Sequence, residues 1–420
     1  MSDRGGLRAN RDEPDDRPAG AADSVDAGET GLEVDVGVLV AHSPGADAAS
    51  LAAFAERMAR DGADELTGVT GATWHVHCLD PDRLPDAKAR RAPEFLDEAI
   101  LHMVERPYDL VVVVTDVPVT SRSERSVAGL ASPVGRLAVV STRRLLRTPG
   151  EESVRSLDAP AVRWNAATLL VHLFGHVLGA DHGDGPVMEP FSFDHSRRSV
   201  PPFDADPGRH LRRMGTRVPE ETASQGRLRR LAFHAVSVAR NPTTVLSTVA
   251  NSGAVLIPLS LPRLSTAAVT PTLILVFSAE AWDVGLNLTN ATTALFALAS
   301  ILAAAVHLLY VQRLSFPRKR SEVITEHVAL VNVTVFLILL LAMVGLFLLV
   351  GSIVLLLELV VFPPNLMTNW PSLEDPAVGI VDLLRIGAFI ATLGVLSGAL
   401  AGGIENRMAL RHLALFLDRP

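Results

Sequence analysis

The sequence predicts a soluble α/β domain followed by an all-α, polytopic membrane domain. Strand-like and helix-like segments alternate from about residue 33 to residue 192, as in a layered α/β domain. Beyond residue 245 come five apolar stretches near the length of about 20 residues that a bilayer span needs. Composition agrees: mean hydropathy is +0.29 and charged residues are 20%. A chain of 420 residues has room for two or three domains. Its net charge of −8 excludes a nucleic-acid binder. Of its 38 basic residues only Lys88 and Lys319 are lysine, a bias we read as compositional rather than functional. The single cysteine, Cys78, rules out an intrachain disulfide.

Taken in order, residues 1–32 form an acidic, Gly-, Asp-, Arg- and Pro-rich stretch. They offer too little apolar surface to repay ordering and are expected to be disordered. With no apolar run at the start, no cleavable signal peptide is expected. Residues 33–41 read as a strand, 45–61 as an amphipathic helix, 72–79 as a strand and 93–106 as a helix. The near-continuous apolar run 109–117 suits a central strand buried on both faces. Residues 136–141 give another strand. A helix follows from about Trp164, with Asn165 as its expected cap.

Residues 193–244 form a basic connector rich in proline and arginine. Its part from 219 to 240 mixes Leu228, Leu231, Phe233 and Val236 with arginines. Two readings stand side by side: an interfacial helix on an anionic membrane, or a solvated linker. Residues 245–405 form the membrane domain, with apolar stretches at 245–262, 266–283, 291–312, 329–361 and 379–403. The fourth is too long for one straight span and projects beyond the bilayer or bends near Gly345 or Gly351. The arginine-rich connector, the Arg313–Arg320 loop and the 406–420 tail belong on the cytoplasmic side. The acidic loop 363–377, with Trp370, belongs outside, and Trp282 reads as an interface aromatic. This parity selects 266–283 as the crossing and leaves 245–262, interrupted by Asn251, Ser252, Gly253 and Pro258, as a re-entrant or interfacial piece. Four spans with both termini inside result, in a multi-pass cell-membrane protein.

The chemistry is concentrated in residues 171–182, where three histidines stand at the spacing H-x3-H-x2-G-x2-H. His172 and His176 are four apart, so a helix projects both imidazoles from one face towards one ion. Gly179 falls where the helix must stop, since glycine enters the left-handed conformation freely. The chain can then turn back and offer His182 as a third ligand. Chance matches to this spacing are expected on the order of one in a thousand. Six residues later Met188 follows a tight turn, a pattern found beneath three-histidine zinc sites. The carboxylate that should directly follow the first histidine is missing, and Leu173 stands there.

These residues, with Tyr108–Val117, Ala128-Gly129 and Gly135–Leu145 ahead of them, resemble the archaemetzincin family, a branch of the metzincin zinc metallopeptidases. The resemblance covers roughly residues 33–192. It implies a metzincin-like mixed sheet, a zinc helix, a Met-turn and peptidase chemistry, with zinc held by His172, His176 and His182. The family's glutamate base maps to Leu173. The family's cysteines for a second zinc map to Gly183, Asp184 and Gly185, so one zinc is expected, not two.

Asp181 and Glu189 are the candidate substitute bases, while Asp181 and Asp184 also read as turn residues. His75, His77 and Cys78 lie on a strand, and burial there is favoured over a second metal. Glu280, Glu358, Asp382 and Arg385 fall near span ends, where water and headgroups solvate them. Asp382 and Arg385 are spaced to pair. The expected function is a membrane-anchored zinc domain with weak or lost peptidase activity, since a general base typically supplies about 10²–10⁴-fold. The expected partners are the bilayer and a peptide or protein substrate. Two alternatives stay open: a non-catalytic zinc- or peptide-binding regulator of the membrane part, and a transporter or channel with an incidental front domain.

Overall fold

The computed structural model describes residues 31–106, 108–121, 125–147, 154–203, 221–222, 226–316, 323–361, 378–402 and 407–416. Residues 1–30 of the expected disordered stretch, Arg209–Arg217 of the connector, Lys319, Trp370 and the 363–377 loop lie outside the described residues. The main sheet has six strands, five of them in one path: β1 (Glu33–His42), β2 (Thr73–Cys78), β3 (Leu110–Thr115), β4 (Gly129–Ser132) and β5 (Leu137–Ser141), with the short strand Asp82–Arg83 pairing parallel to the end of β1. Their order is β2-β1-β3-β5-β4. The first four run parallel, and β4 pairs antiparallel with β5 at the edge. Helices α1 (Ala48–Thr70) and α3 (Pro160–Val177) cover one face, α2 (Leu96–Glu105) the other.

Residue types explain this layering. Val34, Val36, Val38 and Val40 of β1 share one core with Leu110, Val112 and Val114 of β3 and with α1 and α3. The alternate residues Leu39, Val111, Val113 and Val139 join α2 in a second core, which continues into the helical half through Val328 and Val331. A strand buried on both faces needs an unbroken apolar run, and 110–114 supplies one. α1 is capped by Asp47, whose carboxylate accepts from Ala49 and Ser50, and ends at left-handed Gly71. It runs nine residues past the expected end at residue 61. A side chain at Gly62 would press on Leu170 of α3 at 3.2 Å, so this glycine serves helix packing.

α3 begins four residues before Trp164, with Pro160 at its first turn. Asn165 is not its cap. Buried inside the helix, it donates to the carbonyls of Ala161 and Asp194 (both 2.7 Å) and accepts from the Asp194 amide (2.9 Å). It pins the chain after the metal motif to the helix that carries the motif.

The helical half holds α4 (Arg227–Arg240), α5 (Pro242–Asn251), a 3-10 turn (Ala254–Ser260), α6 (Pro262–Leu275), α7 (Ala279–Asn287), α8 (Asn290–Val311), α9 (Glu326–Val360), α10 (Ile380–Ser397) and α11 (Arg407–Leu415). Four segments are long and apolar enough to cross a membrane: Pro242–Ser260, Asn290–Val311, Glu326–Val360 and Ile380–Ala401. The stretch expected to be the crossing, 266–283, is instead two helices, α6 and α7, meeting at 92°. Trp282 holds this bend. It is fully buried, not an interface aromatic, and its indole N–H donates to the Val276 carbonyl at 2.8 Å. Ser278 caps α7, and its hydroxyl also bonds Glu280.

α9 is continuous over 35 residues. Its Gly345 marks a close approach of the Val255 backbone, not a bend. Gly394 of α10 and Gly398 just after it likewise admit Thr272 and Ala268 of α6. α5 therefore accompanies the first half of α9, and α6 runs antiparallel to α10 beside its second half. Asp382 and Arg385 pair at 3.2 Å, as expected. Glu358, expected to be solvated, is 2% exposed and lies against Gly387.

α4 is no solvated linker. Phe233 and Ser237 are buried on the α9 side, while Leu228, Leu231 and Val236 are exposed. From Leu32 onward the chain forms one compact unit. Two polar contacts tie its halves together. Glu326 accepts from Asn241 at 2.7 Å and pairs with Arg240 (3.5 Å) and with Arg136 (3.9 Å) of the β4–β5 turn. Arg411 of α11, fully buried, pairs with Asp97 of α2 at 3.2 Å and stacks on Phe316. The C-terminal segment read as a tail thus returns to the α/β half as a packed helix.

Candidate metal centre

α3 is buried from Asn165 to Val177, so His172 and His176 leave it inside the protein. The helix ends at Leu178, Gly179 turns the chain at φ 87°, and the Ala180 amide closes back on the Gly175 carbonyl at 2.9 Å. That reversal brings exposed His182 over the other two rings. The Nε2 atom of His176 lies 3.1 Å from that of His172 and 3.2 Å from that of His182.

The other ring nitrogens fix the tautomers. Nδ1 of His172 faces the Val187 carbonyl and Nδ1 of His176 the Ala180 carbonyl, both at 2.9 Å. A carbonyl only accepts, so each Nδ1 carries the proton and each Nε2 presents a lone pair. Burial drives the His172 pKa down to about 4 and lowers that of His176, against the pull of these carbonyls. Both rings are therefore neutral near pH 7. Two lone pairs 3.1 Å apart repel unless a cation lies between them, so the three rings fit a metal ion. Among the described residues no other cluster of three His, Cys, Asp or Glu has this geometry.

Met188 lies fully buried in the 3-10 turn Pro186–Met188, where the sequence placed a Met-turn. Its support was not legible in the motif. Gly175, between the two helix histidines, leaves the space that the Met188 thioether fills, and a Cβ there would also meet Phe203 at 2.8 Å. Gly175→Ala is expected to destabilise the chain by about 1–3 kcal/mol through overpacking. Thermal unfolding of the detergent-solubilised chain checks this, and an unchanged midpoint would count against the close fit.

Leu173, at the base position, is fully buried. Its Cδ1 stands 2.7 Å from where a Cβ on Gly129 would be, so edge strand β4 carries glycine to admit it. Of the candidate substitute bases, Asp181 lines a cleft of about 230 Å³ together with His176. Glu189 is exposed and is not among the residues lining that cleft. Asp184 accepts from the Asp181 amide at 2.8 Å, a turn role as expected. His75, His77 and Cys78 are exposed on β2, not buried, because β2 is a sheet edge. His77 pairs with Asp35 at 2.8 Å.

The opposite wall of the cleft comes from α5, through Thr244, Ser247, Thr248 and Asn251. Sequence reading took Asn251 as an interruption in an apolar stretch. The usable signal was the spacing i, i+3, i+4, i+7, which places all four on one helical face.

No family model matches the sequence, and no curated protein does. Two solved structures are similar to part of the chain. An archaemetzincin from Methanopyrus kandleri shares 24% identity, covering 44% of this chain and 97% of its own, with a TM-score of 0.31. A zinc-dependent peptidase from Methanocorpusculum labreanum shares 19% identity, covering 41% of this chain and 99% of its own, with a TM-score of 0.30.

Proposed function

We propose that this chain is a membrane-anchored zinc-binding protein whose α/β domain carries a metallopeptidase-like centre with peptidase activity weak or lost. The observation that carries the reading is the convergence of three imidazole Nε2 atoms, two of them lone-pair donors, beside a fully buried Leu173. His172, His176 and His182 would hold one zinc, with Met188 beneath them. Bound there, zinc supplies Lewis-acid polarisation of a carbonyl and activation of water. The chain's own residues orient two of the ligands through backbone carbonyls and keep the inner side of the centre dry. Asp181 is the one carboxylate lining the cleft and the candidate to move a proton there.

Membrane anchoring is supported by the four long apolar helices. The α/β half, the start of α9 and the C-terminal helix α11 are in mutual contact, which supports an even number of crossings. We count the broken ascent 242–287 as one, followed by α8, α9 and α10. The arginines of the connector and of the 313–320 loop orient the metal domain to the cytoplasm. The test is the zinc content of the purified full chain, followed by hydrolysis of unstructured peptides with and without chelator. Bound zinc without turnover selects the second reading, a non-catalytic regulator, which the bundle helix lining the cleft favours.

A further inference from the structure

We infer that the groove between α6 and the end of α10 holds an anionic phospholipid, with its phosphate at Arg263 and one acyl chain laid along α6. This rests on the membrane reading above and adds which lipid the bundle selects. The groove measures about 640 Å³ and opens on the outside of the bundle. One wall is the outward stripe of α6, with Arg263, Thr266, Thr270 and Ile274 all exposed. The other wall is Ser397 and Ala401. Ala401 belongs to a π-helical turn, Gly398–Gly402, that follows α10.

The floor of the groove needs no water. Pro271 has no N–H to give the Ala267 carbonyl four residues back. The Ser397 hydroxyl, from the other wall, donates to that carbonyl at 3.0 Å in its place. Thr270 donates its proton to the Thr266 carbonyl at 2.8 Å. A proline-containing helix satisfied in this way can face hydrocarbon. The groove therefore asks no hydrogen bond of its occupant along its length, which suits an acyl chain and not a polar solute.

The mouth is different. Arg263 is the one charged side chain among the described residues that line the groove. Gly398 stands between Leu264 and Leu346 of α9, and Gly394 between Thr272 and Val350, so the Arg263 end is the one nearer the foot of α9. On the orientation proposed above, that end faces the cytoplasmic leaflet, whose anionic lipids attract basic side chains. From Arg263 to Ile274 the helix rises about 16 Å at 1.5 Å per residue. That is about half of the roughly 30 Å hydrocarbon core, the depth to which the chain of one leaflet reaches.

The experiment uses the full chain, first tested for recovery in membranes after an alkaline carbonate wash. In detergent it is titrated with palmitoyl-oleoyl phosphatidylglycerol, with phosphatidylcholine of the same chains and with glycerol phosphate, and bound ligand is counted by native mass spectrometry. Wild type should hold phosphatidylglycerol about fivefold more tightly than phosphatidylcholine, the advantage of one basic residue at an anionic surface. It should not hold glycerol phosphate. Arg263→Gln should bring phosphatidylglycerol down to the level of phosphatidylcholine, while Arg230→Gln, at an exposed position on α4, should not. Thr270→Trp and Ala401→Trp fill the groove from opposite walls. Each should weaken both lipids more than about tenfold, which the loss of two buried methylenes already gives. Leu298→Trp, on the exposed side of α8, should change neither. Equal binding of the two lipids by wild type overturns the inference, as does unchanged binding in both groove-filling variants. Glycerol phosphate bound as tightly as phosphatidylglycerol overturns it too, since the chain would then play no part. A lipid-free wild-type dimer that Thr270→Trp dissociates assigns the groove to a second copy and likewise overturns it. A chain that carbonate washes off the membrane fails the membrane reading instead, and the first step tells the two failures apart.

Discussion

His176→Ala should lower bound zinc from about one equivalent per chain to none, because a tetrahedral centre with an open position has only three protein ligands to lose. The effect is expected to be large for a second reason. His176 bridges the other two rings and ties the Ala180 turn through its Nδ1 proton. Its removal takes away a ligand and loosens the reversal that delivers His182. His77→Ala is the matched control: an exposed histidine paired with Asp35, whose loss should leave zinc content at the wild-type value. Elemental analysis of both variants beside wild type decides the matter. Full zinc retention by His176→Ala would mean that the metal sits elsewhere.

Leu173→Glu should have the other large effect, with two faces. With zinc, hydrolysis of unstructured peptides is expected to rise by up to the 10²–10⁴-fold that a positioned base supplies. Without zinc, the same substitution puts a carboxyl group into a fully buried apolar site beside Gly129. That should destabilise the metal-free chain by about 2–5 kcal/mol, the range for losing a buried leucine, with the unpaired polar group adding to it. Zinc should therefore raise the melting temperature of Leu173→Glu more than that of wild type. Robust chelator-sensitive cleavage by wild type would instead assign the base to another group, with Asp181 first in line. No cleavage by either form, despite bound zinc, would favour the regulator.

The sequence made the metal centre legible because its geometry is local. Two histidines one helical turn apart, a glycine stop and a third histidine need only about ten residues of chain. The central strand was legible for the same kind of reason, since burial on both faces writes itself as a run of valines. What stayed hidden depends on partners far away in sequence. Asn165 looks like a cap until the Asp194 backbone is placed beside it. Trp282 looks like an interface aromatic until the Val276 carbonyl turns towards its ring. The packing roles of Gly129 and Gly175 carry no signal in the sequence, because they lie in what presses on them. The stripe on α5 was visible as spacing, but of its four residues only Asn251 stood out, as a break in an apolar stretch, until the histidine centre was found opposite.

Thirty-five residues of unbroken helix rise about 52 Å at 1.5 Å each, whereas the hydrocarbon core of a bilayer takes up about 30 Å. On the proposed reading, α9 is therefore a mast as well as a span. Some 20 Å of it stands clear of the lipid, flanked by α4 and α5 and joined at its foot to the β4–β5 turn through Glu326 and Arg136. A domain on a flexible tether searches a volume, but one clamped to a mast works at a fixed altitude. Targets must come to that height, as a juxtamembrane segment does and a freely diffusing folded protein does only by its loops. Adding one residue to the mast would lift the centre by about 1.5 Å and swing it by about 100°, so altitude and bearing cannot be tuned separately.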